Sequence, residues 1–413
     1  MKFAAGIMGA LVIGAGLFSF AGPREVAVGK PIVGLQEKGS STITTGQGTT
    51  SQTSTLSNGD IPNTSPLANP PASIKAIYLT GWSAGLSKKI EYVKKIASET
   101  EISAVVIDIK DYSGELSYTA EIPEVVDSKA GVSPKIKYPN RTIKELHDAG
   151  IYVIGRVSVF QDVVLAKAHP EWALKQGSTT ATWKDRKGLT WMDASAKPVW
   201  DYNVAIAKDA LARGFDEINF DYVRFPSDGN LKLIGYPYWD QKTARHTVIK
   251  EFFRYVRSQM PQARLSADLF GLATVNNDDL GIGQIIEDAY RYFDYVSPMV
   301  YPSHYAQGFL GFKNPAEYPY EVVYYSVEKA VGKLKALKAA SMEPSSTVVL
   351  DRPLGKLRPW FQDFDLGATY DSTMIRKQIN ALNDVASGTP SLVDGWMIWS
   401  PSNNYRVGAY LKE

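Results

Sequence analysis

The chain has 413 residues, 44% of them hydrophobic, and no cysteine. That length admits two average domains or one large barrel, and the missing thiol excludes disulfides, thiolate catalysis, Cys-zinc sites and a lipidated cysteine anchor. A formal net charge of +2, with both signs mixed along the chain, leaves no electrostatic footprint for nucleic acid.

Lys2 precedes an uncharged, mostly apolar run from Phe3 to Ala21, closed by the small residues around Ser19-Phe20-Ala21. Residues 1–22 therefore read as a secretory signal or, since the run approaches the length of a span, as an uncleaved membrane anchor. Residues 23–72, rich in Ser, Thr, Gly and Pro from Gly39 onward, read as a flexible linker that cannot bury enough surface to offset its ordering entropy. Any membrane contact is expected through the N-terminal segment alone.

From residue 73 to 413 short apolar runs alternate with helix-period stretches. The strands fall at 76–82, 104–110, 152–160, 217–224, 264–270, 294–301, within 347–364, and at 395–400. Helical patterns cover 88–98, 141–149, 200–213, 241–259, 281–292, 320–340 and 372–386, with Gly150 and Gly214 as stops. Eight Val- and Ile-rich strands alternating with helices predict an α/β parallel sheet. The count favours a closed (β/α)8 TIM barrel over an open doubly wound sheet. The connection after the third strand is long, and the eighth helix is short or missing.

Catalytic groups of such barrels sit at the C-terminal ends of the strands. Period-two alternation puts Asn219 and Asp221 inward on the fourth strand, Ser266 and Asp268 inward on the fifth, and Asp108 with Lys110 on one face of the second. Asp221 is either catalytic or the partner of Arg224 or Arg156; Lys110 could neutralise Asp108. On the seventh strand parity groups Asp363 with Phe361 rather than with Trp360. Two carboxylates at one mouth suit glycoside cleavage, in which one protonates the departing oxygen and the other attacks or activates water. Their proximity would push one pKa up. The histidines His147, His169, His246 and His304 lack metal-ligand spacing, and Gly281-x-Gly283 lacks the third glycine of a dinucleotide loop, so neither metal nor cofactor is expected.

The motifs Tyr78–Ser83, Ala104–Asp111, Gly214–Pro226, Ser266–Gly271 and Ser297–Tyr305, in order on successive strands, resemble the glycoside-hydrolase-type barrel domain of bacterial exported proteins over 75–410. The family is similar in turn to the alpha-amylase-like clan. That likeness implies a nucleophile at Asp221, an acid at Asp268 and a stabilising carboxylate at Asp363. The clan has Glu where this chain has Asp268, which leaves the stereochemical course open. His169-Pro170-Glu171-Trp172 and Trp191-Met192-Asp193 resemble a mouth loop, making Trp172 and Trp191 sugar platforms and Asp193 a substrate ligand. Arg156, Arg224 and Tyr301 would orient charge, His304 could donate to a subsite, and Trp82, Trp360 and Trp399 would line subsites. The expectation is a monomeric, exported glycoside hydrolase acting on an extracellular or envelope polysaccharide. A non-catalytic glycan-binding barrel and a transglycosylase are the alternatives.

Overall fold

The computed structural model describes residues 59–343 and 350–412; the signal or anchor over 1–22 and the linker through residue 58 lie outside them. Eight parallel strands close on themselves: β1 (Lys75–Leu79), β2 (Ala104–Lys110), β3 (Tyr152–Ser158), β4 (Glu217–Asp221), β5 (Leu265–Phe270), β6 (Tyr295–Met299), β7 (Trp360–Gln362) and β8 (Trp396–Trp399). Each pairs with its sequence neighbours, and β8 returns to β1 through Lys75↔Trp396 and Ile77↔Ile398. Between β6 and β7 the circle closes at one register pair, Met299↔Trp360. The open sheet is thereby excluded, and the fold is the expected (β/α)8 barrel.

Burial on both faces explains the near-continuous apolar strands. The outer residues Ile77, Val105, Ile107, Val153, Ile218 and Phe220 join one core with the helices, which present Val93 and Ile96, Ile143 and Leu146, Ile206 and Ala210, and Phe252 and Phe253. The inner residues Ala76, Tyr78, Val106, Ile154, Trp360 and Met397 form a second, smaller cluster. The principal helices between the strands are α1 (Ser87–Glu99), α2 (Pro139–Asp148), α3 (Lys197–Arg213), α4 (Arg245–Gln259), α5 (Ile286–Tyr292), α6 (Pro319–Met342) and α7 (Ser372–Ser387). Gly214 ends α3 at φ 113, a left-handed cap whose N–H donates to Ala210 and Leu211. After β8 the chain makes only a helical turn, Val407–Tyr410.

Three of the boundaries that differ from expectation bear on the mouth and its support. Residues 59–72, read as linker, are fastened to the barrel. Asp60 accepts from Asn140 N at 2.9 Å, Thr64 Oγ1 donates to Arg213 O at 2.9 Å, and Leu67 N donates to Asp216 Oδ1 at 2.6 Å. Leu67 also packs on the inner cluster. β1 stops at Leu79 because Thr80 caps a helical turn over Gly81–Ala84, its side chain accepting from Ser83 N at 3.1 Å; Trp82 is thus off the strand. β4 stops at Asp221, since Tyr222 takes φ 53.

Candidate active site

The barrel interior is built in layers, because alternate residues of each strand point inward. Nearest the strand starts, Glu217 and Arg358 form an ion pair with both side chains 0% exposed, Arg358 Nη1 reaching the two Glu217 oxygens at 3.0 and 2.9 Å. Above it Asn219 Nδ2 donates to Ser266 Oγ at 3.0 Å. Two residues further along each strand come the groups of the mouth.

There Arg156 of β3 is the hub. Its Nη1 donates to Asp108 of β2 at 2.6 Å, its Nη2 bonds Asp221 of β4, and its Nε lies 3.6 Å from Asp268 of β5. Tyr78 of β1 donates its hydroxyl to Asp108. Asp268 Oδ1 accepts from Trp360 Nε1 of β7 at 2.7 Å and from Asn219 Nδ2 at 2.9 Å. Tyr301, after β6, lies against the same charges, and Trp399 of β8 stacks on it with centroids 5.8 Å apart. All eight strands therefore contribute to one cluster.

One guanidinium serves three carboxylates, so the protons must be shared unequally. Burial raises the Asp268 pKa first, and the neighbouring Asp221 charge raises it further. Arg156, Asn219 and Trp360 pull it back only part of the way, leaving it at about 8. Asp108 is also raised by burial, with Arg156 and Tyr78 opposing. Arg156 loses solvation, but Asp108 and Asp221 more than offset that loss and hold it well above its usual range. Asp221 accepts from Arg156 through one oxygen and from Tyr222 N at 2.5 Å through the other.

Tyr222, immediately after Asp221, holds a left-handed backbone that costs a non-glycine residue about 1–3 kcal/mol. The turn is held from both sides: Val159 N donates to Asp221 O at 2.9 Å, and the Tyr222 ring lies 5.9 Å from that of Trp191. It ends the strand while leaving the Asp221 side chain in the mouth.

Other residues singled out by the sequence lie elsewhere. Lys110 pairs with Asp162 at 2.7 Å, both side chains 0% exposed, and lies over the Tyr202 ring of α3; it does not neutralise Asp108. A register shift between Asp108 and Lys110 breaks the alternation and turns it outward. Asp363 is not in the cluster either. It accepts from Arg406 N at 3.0 Å, Arg406 Nη1 at 2.5 Å and Tyr410 Oη at 2.7 Å, holding the C-terminal segment on the outer layer. Asp193 is 0% exposed and accepts from the N–H groups of Ser195, Tyr238 and Trp239, which makes it a staple between two loops. Trp191 is buried and donates to Asp185 at 3.1 Å, and Trp172 stacks on His169 at 3.9 Å. Trp82 stands 66% exposed beyond β1. His304 is exposed, with its ring against Tyr301 and Phe364. Sequence reasoning misses Tyr78 as a site residue, although its alternation with Ile77 and Leu79 marks it as inward. Among the described residues no group of three or more His, Asp or Glu is arranged to hold a metal ion.

Residues 76–405 match the family described as "Putative glycosyl hydrolase domain". A hypothetical protein from Ruminiclostridium thermocellum ATCC 27405 is 38% identical over 50% of this chain and 98% of its own, with a TM-score of 0.43. The PgaB (BpsB) glycoside hydrolase domain from Bordetella bronchiseptica is 12% identical over 83% of this chain and 100% of its own, with a TM-score of 0.56, a likeness of fold. Among curated proteins none matches. The match over 76–405 covers most of the chain and all eight strands of the barrel: the protein belongs to this glycosyl hydrolase-like domain family.

Proposed function

We propose that the barrel mouth cleaves a glycosidic bond in a polysaccharide, with Asp268 as general acid and Asp221 as nucleophile or base. The observation that carries this reading is the Arg156 guanidinium shared between both carboxylates, in a buried site where desolvation and the Asp221 charge raise the Asp268 pKa to about 8. An acid must be protonated at working pH, and burial beside a second carboxylate supplies that for Asp268. Asp268 would protonate the departing oxygen. Asp221, with Asp108 behind Arg156, would stabilise the positive charge developing on the sugar ring. The stacked Tyr301 and Trp399 rings offer a flat apolar face to a sugar. An exported location, expected from residues 1–22, would bring the mouth to a polymer outside the cell.

The test is Asp221→Asn assayed on a polysaccharide panel by release of reducing ends. Activity should fall at least ~1000-fold, the scale set by loss of a catalytic group, with Tm little changed. Cleavage at the wild-type rate would end the assignment. A second reading is favoured by the 1% exposure of Asp268 and its two fixed donors, which seal the carboxyl. In that case the barrel binds glycans without cleaving them, and glycan binding with no reducing ends released over long incubation would select it.

A further inference from the structure

Other arginines packed into this barrel have carboxylate partners: Arg156 has three, Arg358 has Glu217, and Arg257 has Asp294. Arg224 does not. It follows Asp221 by three positions, at the exit of β4, and no carboxylate among the described residues comes within ion-pair distance of it. Its hydrogen bonds to described residues both use Nη1, to Phe225 O at 3.1 Å and Ser227 Oγ at 3.2 Å. Aromatic rings surround it. Its guanidinium carbon lies 4.7 Å from the Trp191 centroid, 4.7 Å from Phe270 and 5.4 Å from Tyr222.

This geometry separates two uses of a guanidinium. Aromatic rings take its faces, whereas its hydrogen-bond donors lie in the plane, in a fork that matches carboxylate or phosphate oxygens. Ring contacts do not use up the fork, and Nε and Nη2 make no hydrogen bond to any described residue. The side chain is partly accessible, so a ligand can reach it. Desolvation lowers the Arg224 pKa, and the charges of Asp221, Asp228 and Asp185 do not make up the loss. An arriving anion would.

We propose that Arg224 receives an anionic substituent of the substrate, so that the barrel acts on an acidic polysaccharide, one whose sugars carry carboxylate or phosphate. This rests on the reading of the mouth as a glycan site, because Arg224 follows Asp221 by three residues at the exit of β4 and lies near enough to feel its charge. The substituent fixes which sugar lies across the cleaved bond, and a neutral chain leaves the fork desolvated and unpaired, which is how a buried polar site rejects an analogue lacking its partner.

Full-length Asp221→Asn protein, which binds without turnover, is applied to a glycan array holding uronate-bearing, phosphate-bearing and neutral polysaccharides. Binding should concentrate on one acidic class, and the class that binds distinguishes carboxylate from phosphate. Adding Arg224→Met should weaken that binding tenfold or more. Arg224→Lys keeps the charge and the stem, protects against a trivial folding defect, and should also bind at least fivefold more weakly because the fork is gone. Equal binding to neutral and acidic glycans, binding to none, or unchanged acidic binding in both Arg224 variants overturns the proposal. Failure of the catalytic reading appears separately, as reducing ends released from soluble glycan by Asp221→Asn.

Discussion

The substitution Asp268→Asn makes the protonation of this carboxyl a measurable stability effect. An unfolded aspartate has a pKa of 3.8, and the folded value is about 8. The folded state thus binds a proton that the unfolded state has released, and stability must fall as pH rises between those two values. Each unit is worth about 1.4 kcal/mol, so the whole window is on the order of 5 kcal/mol, a large share of a typical folding free energy. In the Asp268→Asn variant the amide oxygen would accept from Trp360 Nε1 and Asn219 Nδ2 as the acid does, but the group has no proton to lose. The variant's stability should therefore lack this part of the wild-type decline, while any contribution from Asp108 is common to both proteins. Thermal melts from about pH 5 to about pH 9, at roughly 2 °C per kcal/mol for a chain of this size, should show the variant gaining roughly 5–10 °C relative to wild type. Only the slope is diagnostic, since any offset from the amide facing Arg156 is independent of pH. Parallel curves would mean that Asp268 does not titrate in this window, and the assignment of the general acid would fall with it.

Breaking the buried Glu217–Arg358 pair by Arg358→Met should cost about 3–5 kcal/mol, because a carboxylate is left uncompensated in the barrel; recovery of Tm by the added change Glu217→Leu would confirm the cause. Tyr222→Gly should relieve the left-handed backbone yet cut hydrolysis, since the ring that anchors the turn to Trp191 is lost, whereas Tyr222→Val should also lower Tm. The kcat and Tm of the pair separate positioning from stability. Asp363→Asn should lower stability by about 2 kcal/mol through its weakened bonds to Arg406 and Tyr410. Its pH–rate profile should match wild type, and a displaced profile would return Asp363 to the catalytic group.

What can be read from the sequence follows from which rule governs each residue. Alternation places Asp221, Asp268, Asn219 and Ser266 correctly because β4 and β5 are regular and buried on both faces, so parity and direction coincide. The same rule misplaces Lys110, since the register slips between Asp108 and itself, and one irregular residue inverts every assignment beyond it. Asp363 shows the opposite case. Its parity with Phe361 points outward, and the carry-over from a related clan sets that signal aside; the physical reading is the better guide. Tyr78 has the correct parity but carries no charge to attract notice, although its hydroxyl is what Asp108 leans on. Residues 59–72 look like a tether when apolar content is the criterion, while Asp60, Thr64 and Leu67 are held by hydrogen bonds to the ends of helices and strands. Rings and carboxylates in a mouth loop suggest contact with sugar, which is why Trp191 and Asp193 read as substrate ligands. A connection of that length must first build a small core of its own, and Trp191 and Asp193 are used in building it. Arg224 is what that small core leaves over: its guanidinium lies over the Trp191 ring, and no acid of the loop pairs with it. The same packing that takes up Trp191 and Asp193 is therefore what leaves the donors of Arg224 uncommitted.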